Sequence, residues 1–341
     1  MSDLKNKFLF SPGFICLIAG LLLCLAAPAN AVKLKIATLS PDGSMWMQKM
    51  KQGAKEVAEK TEKRVTFKFY PGGVMGNDKA VLKKIRVGQL HGGAVVGGSL
   101  SRFFPANQIY AQPLKFRQVE EVDHVRKQMD AAIIDGLEKK GFVVFGLIGG
   151  GFAYIMSHAP IETVEDLKAQ KVWIPDNDKI SQGSIRAFGI TPIPLPISDV
   201  RTSLQSGLIN TVATSPVGAV VLQWHTQIKY ITDLPLIYLH AVLAIDKKRF
   251  MKISEPDRKI VREIMTRVSM EIDIKNRQDD LKAVETLKKR GIKFVTPSEE
   301  AMKGWRETGQ NASREMVKSG VLPPAMVDEL DALLDEFHSR Q

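Results

Sequence analysis

Cysteine is nearly absent from this 341-residue chain, and both examples, Cys16 and Cys24, fall within the first 31 positions. The remaining stretch of about 310 residues therefore has no thiol, which excludes a disulfide framework, a thiolate nucleophile and cysteine-ligated metal there. Its six histidines, His91, His124, His158, His225, His240 and His338, lack the H-E-x-x-H spacing and any other zinc pattern, and no G-x-S-x-G elbow occurs. The glycine cluster Gly149-Gly150-Gly151 has neither the G-x-G-x-x-G spacing nor a following Lys-Ser or Lys-Thr, so it is no phosphate loop. These absences leave no recognisable catalytic motif: the chain is expected to be no enzyme and to need no cofactor or metal. Nor does any apolar run after residue 31 approach the ~18 residues of a membrane span.

What the N-terminus does contain is a leader. Lys5 and Lys7 precede an apolar run over residues 8–25, interrupted by Pro12 and Gly13 and followed by the small-residue site Ala29-Asn30-Ala31. This pattern predicts a secretory signal peptide over residues 1–31 with cleavage after Ala31, hence a periplasmic protein held together by packing alone. A lipobox would need a small residue before Cys24, and Leu23 is not small; lipidation of Cys24 stays as the alternative. The formal charge is +11, yet acids are interspersed with the basic residues in "KQGAKEVAEKTEK" and "DLKAVETLKKR". Such mixing reads as solvated helix faces, and together with export it argues against a nucleic-acid partner. Attraction to an anionic membrane surface or an acidic partner stays open.

Periodicity gives the architecture. "VKLKIATL" (32–39) alternates like a strand, residues 45–61 repeat apolar positions at helical spacing, and "RVTFKFYPGG" (64–73) reads as a second strand closed by glycines. Helices over 77–87 and 119–139, a buried strand "GGAVVGG" and a strand "FVVFGLI" continue the alternation, which defines an α/β fold. Late in the chain Ser254 caps, and Pro256 starts, a helix that meets no breaker before Gly291. At ~1.5 Å per residue its roughly 36 residues would reach on the order of 54 Å, long enough to brace two lobes.

These stretches resemble, in order and spacing, the DctP-type periplasmic solute receptors of tripartite ATP-independent periplasmic (TRAP) transporters, over nearly the whole chain after the leader. The matching blocks are "YPGGVMGNDKAVLKKIRVGQLHG", "QPLKF", "IETVEDLKAQKVWIP" and "AFGITPIPLPISDVRTSLQSGLIN". The resemblance implies a two-lobed periplasmic-binding-protein fold of type II, with the long helix spanning both lobes. It implies lobe I over 32–153 plus about 242–282, and lobe II over 154–241 plus about 283–341. It also implies a ligand cleft between the lobes and a membrane permease as partner; both monomer and homodimer are compatible with it.

The departures concern the cleft. Aligned on these blocks, the family's two carboxylate-gripping arginines fall on Ala153 and Trp173, and no alanine or indole supplies the paired donors of a guanidinium. Positions that are polar in relatives that bind acidic sugars become Leu39 and Val96, and "NTVAT" leaves Thr214 where asparagine is usual. The reading that follows is a receptor for a neutral or hydrophobic small molecule, with Leu39, Val96, Ala153, Trp173, Ile197 and the neighbouring Phe152 as lining and Asp176 and Thr214 as polar handles. For a tryptophan in an apolar run, a plain core position is the competing account of Trp173. The "GGVMG" turn and the helix after it are most similar to a spirochaetal lipoprotein branch implied to carry lipid-like cargo. Two alternatives accompany this reading. One is an organic-acid receptor using displaced cations such as Arg102, Lys115, Arg117 or Arg186; the other is a periplasmic lipid-handling or sensing module without a permease.

Overall fold

The computed structural model describes residues 31–176 and 178–340, so the expected leader lies outside the described residues except for Ala31. The first lobe opens with β1 (Val32–Thr38), α1 (Met45–Lys60), β2 (Val65–Tyr70), α2 (Asp78–Arg86) and β3 (Gly92–Val96). β1 pairs in parallel with both β2 and β3, as β-α-β order requires. Both helices start on side-chain caps: Ser44 accepts from the Met47 amide and Asn77 from the Ala80 amide. Two 3-10 segments, Gly97–Leu100 and Pro105–Ala111, lead to α3 (Val119–Lys139) and β4 (Phe142–Val144). The "FVVFGLI" run, expected as one strand, is divided. Gly146 takes φ +140°, and β5 (Ile148–Ser157) begins beyond the break.

The second lobe holds α4 (Val164–Lys168), β6 (Trp173–Pro175), α5 (Lys179–Ala187) and β7 (Ile193–Leu195), then α6 (Val200–Ser206), β8 (Thr211–Thr214), α7 (Pro216–Val221) and β9 (Tyr230–Thr232). The chain then returns through β10 (Ile237–Asp246), the short α8 (Lys247–Phe250) and the long α9 (Glu255–Lys289). It ends in β11 (Lys293–Val295), α10 (Glu299–Lys318) and α11 (Pro324–Ser339).

One sheet runs through both lobes in the order β11-β9-β5-β10-β3-β1-β2, with β4 attached to β10 and β8 to β5. β5 and β10 carry it across. Residues 148–153 of β5 pair antiparallel with 237–241 of β10, while residues 154–157 pair with β8 and β9. The far half of β10 pairs with β3 and β4.

Helix α9 has 35 residues, about 52 Å of helix. Its first half buries Val261, Ile264, Met265, Val268 and Ile272 against the first lobe, and Leu287 enters the second lobe's core. The expectation that residues 283–341 all join lobe II fails at the end of the chain. Leu330 and Leu334 of α11 pack with Val122, Val125 and Met129 of α3 in the first lobe, because both helices present apolar faces there.

The crossing strands are tied to α9 at Gly149. Its amide donates to Asp273, its carbonyl accepts from Asn276 at 2.9 Å, and a Cβ there would lie 2.2 Å from the Tyr238 hydroxyl oxygen. Arg126 of α3 completes the knot by donating to Asp130, Asp273 and the Leu147 carbonyl. Removing this largely buried cation takes the arginine partner from Asp130 and leaves Asp273 with the more distant Arg277, at 3.8 Å. We therefore expect Arg126→Met to lower unfolding free energy by about 3–5 kcal/mol. Urea denaturation measures it, and a loss below about 1 kcal/mol would mean that the cluster contributes little.

Candidate ligand site

A cavity of about 290 Å³ lies where β5 and β10 pass between the lobes. The first lobe supplies Val96, Gly97 and Gly98 at the end of β3, together with Gln108 from the second 3-10 segment. From the second lobe come Trp173, Ile185, Phe188, Thr214 and Trp224, and the crossing itself supplies Gly150 and residues 236, 237 and 239–241. The wall is mostly carbon. Among the described residues no Lys or Arg lines it, and the charged group present is Asp178, whose carboxylate accepts from the Ser181 amide and hydroxyl.

The aromatic side of the cavity is held by contacts within its own lobe. The Trp173 indole N–H donates to the Leu195 carbonyl at 2.9 Å, and its ring meets Trp224 edge to face at 5.2 Å. Trp173 is thus a buried core residue of the second lobe and a cavity wall at once. His240 lies opposite, within the crossing. Burial and then the nearby Arg126 push its pKa down to about 3, so the imidazole is neutral at ordinary pH.

The two lobes are in contact. A Cβ on Gly98 would stand 2.4 Å from the Asp178 carboxylate oxygen of the opposite lobe. Beside this contact is a small pocket of about 20 Å³ bounded by Leu39, Asp78, Ser99, Asp176 and Ile197. Asp78 accepts from the Ser99 hydroxyl and the Val96 amide, yet burial, assisted by the charge of Asp176, raises its pKa to about 6.

Four of the seven residues expected from the sequence, Val96, Trp173, Ile197 and Thr214, border the main cavity. Leu39 and Asp176 border only the small neighbouring pocket. Ala153 borders neither. It is fully buried within β5, and the adjacent wall is made by Leu236 and Ile237 of the partner strand, the first of which donates its amide to the Ala153 carbonyl. Phe152 also points elsewhere, edge-on to Tyr238 in the first lobe. Gln108 and His240 went unforeseen. His240 had a legible signal, as the lone strongly polar residue in the run "LIYLHAVLAI". Gln108 had none, because nothing in "PANQIYAQ" shows which way a 3-10 segment turns its side chains.

A two-lobed α/β protein with a solute-sized cavity at its hinge is the class that fold and site together define. The family model described as bacterial extracellular solute-binding protein, family 7 (DctP) matches residues 36–319, and the chain belongs to that family of solute receptors. It is 25% identical to the uncharacterized protein YiiZ of Salmonella typhimurium over 200 residues, covering 56% of this chain and 61% of that protein. The match thus spans less than two thirds of that relative's length. The sialic acid-binding periplasmic protein SiaP of Vibrio cholerae is 22% identical over 304 residues, 87% of this chain and 92% of its own. In fold, the chain is similar to a TRAP periplasmic solute-binding protein from Sulfitobacter crystallised with bound β-D-galacturonate. That likeness has a TM-score of 0.80 at 19% identity and covers 89% of this chain and 99% of that one. None of the described helices is long and apolar enough to cross a membrane.

Two outcomes test the site's electrostatics and closure. Asp78 has a folded pKa of about 6 against an ordinary 3.8, so its protonated form is favoured in the fold. Its contribution is present in full at low pH and lost as pH rises through about 6. Asp78→Asn should therefore gain up to about 3 kcal/mol over the wild type at pH 8 and nothing near pH 4, by denaturant unfolding at both. An equal gain at both values would refute the assignment. Gly98→Ala should weaken solute binding by roughly 5- to 100-fold through a blocked lobe contact while leaving the melting temperature nearly unchanged. Unaltered affinity would show that the contact is absent from the bound form.

Proposed function

We propose that this chain is the periplasmic solute receptor of a TRAP-type transporter, closing its lobes over a neutral or hydrophobic small molecule and presenting the closed form to a membrane permease. The observation that carries the choice of solute is the cavity wall, carbon-rich and without Lys or Arg among the described residues. A carboxylate entering it would give up water without meeting a cation, at a cost of several kcal/mol, and would face Asp178 as well. An apolar solute gains instead. Filling 290 Å³ displaces on the order of ten waters, and each 100 Å² of apolar surface buried gives about 2.5 kcal/mol toward the closed state.

Kinship supports a second reading. The Vibrio relative is named for sialic acid and the Sulfitobacter structure holds galacturonate, both organic acids, so the relatives favour a carboxylate solute and lend the apolar one no support. The displaced cations that reading called upon lie away from the cavity. Arg102 sits over the Phe103 ring, Lys115 pairs with Asp331, Arg117 is exposed, and Arg186 opens on a separate pocket beside Thr191 and Pro194.

Native mass spectrometry of protein purified from its own host without refolding decides between them, followed by calorimetry with galacturonate and succinate. We expect a co-purified neutral, apolar molecule and no heat with either acid. A bound sugar acid or dicarboxylate would replace the apolar reading with the organic-acid one.

A further inference from the structure

The cavity is not uniformly apolar, and its exception is localised. The register between β5 and β10 shifts between Leu239 and His240, an irregularity of the kind that re-aims side chains. At that point His240 is only 5% exposed, borders the cavity, and its Nε2 has no hydrogen-bond partner among the described residues. Buried ring nitrogens are ordinarily satisfied, so one left without a partner beside a cavity marks where a polar group of a solute belongs. The Tyr110 ring, edge-on at 6.3 Å, backs the imidazole. Gln108, also 5% exposed, reaches the same spot from the first lobe. A Cβ on Gly97 would lie 2.4 Å from His240 Nε2 and 2.7 Å from Gln108 Nε2, so imidazole and amide converge over bare backbone.

Most of the surrounding wall is carbon, from Trp173, Ile185, Phe188 and Leu236; the Ser181 hydroxyl is committed to Asp178 and that of Ser184 to the Met316 sulfur, and the Thr214 hydroxyl stands apart in the second lobe. We infer that the solute is amphipathic, with an apolar body against the second lobe and one neutral hydroxyl docked on His240 and Gln108. A hydroxyl both donates and accepts, so it satisfies the open ring nitrogen in either tautomer and the amide beside it. The neutral state of the buried imidazole suits such a group better than an anion. This inference rests on the neutral-solute reading and narrows it to apolar alcohols and phenols.

A matched pair of probes tests it: 1-naphthol, and 1-methylnaphthalene, which keeps the rings and replaces the hydroxyl by a methyl. Quenching of tryptophan fluorescence reports binding, since Trp173 and Trp224 border the cavity. The expected result is that wild-type protein binds 1-naphthol at least tenfold more tightly than 1-methylnaphthalene. His240→Leu should erase the preference by weakening naphthol alone, and Gln108→Leu should reduce it in the same direction. His240→Gln, which restores a hydrogen-bonding side chain, should recover part of it. Equal binding of the two probes by the wild type, or an undiminished preference in both leucine variants, overturns the inference while leaving the neutral-solute reading intact. If the wild type binds neither probe, both fall, and binding of galacturonate in the same assay would put the organic-acid reading in their place.

Discussion

The structure depends on how the chain is held where it passes between its lobes. Two strands and one helix make the passage, and they meet at Gly149, whose amide and carbonyl are both taken by side chains of α9. A backbone group buried there without partners would cost about as much as a lost hydrogen bond, and Asp273 and Asn276 remove that cost. The same arrangement fixes the separation of the lobes at their base. The cavity lies beside this knot, with Gly150 in its wall.

Charge is distributed accordingly. Ion pairs gather around the crossing, as between Arg126, Asp130 and Asp273, whereas among the described residues the cavity wall has a single carboxylate and a neutral imidazole. A guanidinium at Trp173 would grip an acid; the indole hydrogen-bonds its own lobe through Leu195 and turns its carbon outward. The cavity wall is carbon-rich with a few polar groups, while the sheet and long helix that carry it are of the family's pattern.

Much of this fold could be read from the sequence because period-two and period-3.6 patterns are local. The β1 to α3 alternation and the start of α9 at Ser254 follow from such patterns, with boundaries close to those observed. The division at Gly146 and the return of α11 to the first lobe could not be read, since both are decided by which distant surface an apolar segment meets. Of the cavity wall, Trp173 was legible as a side chain that borders it. Ala153 does not border it, because a short side chain yields its place to neighbours across the pairing, here Leu236 and Ile237. His240 was visible only as an incongruous polar letter; the strand irregularity beside it has no sequence signature of its own.

Helix α11 gives the molecule an order of assembly. Leu330 and Leu334 belong to the interior that β3 and α3 begin more than two hundred residues earlier, so that interior stays open on one side until α11 has been made and docks. Neither half can be excised as a continuous stretch of gene, and a truncation that spares every cavity residue would still expose the apolar face of α3.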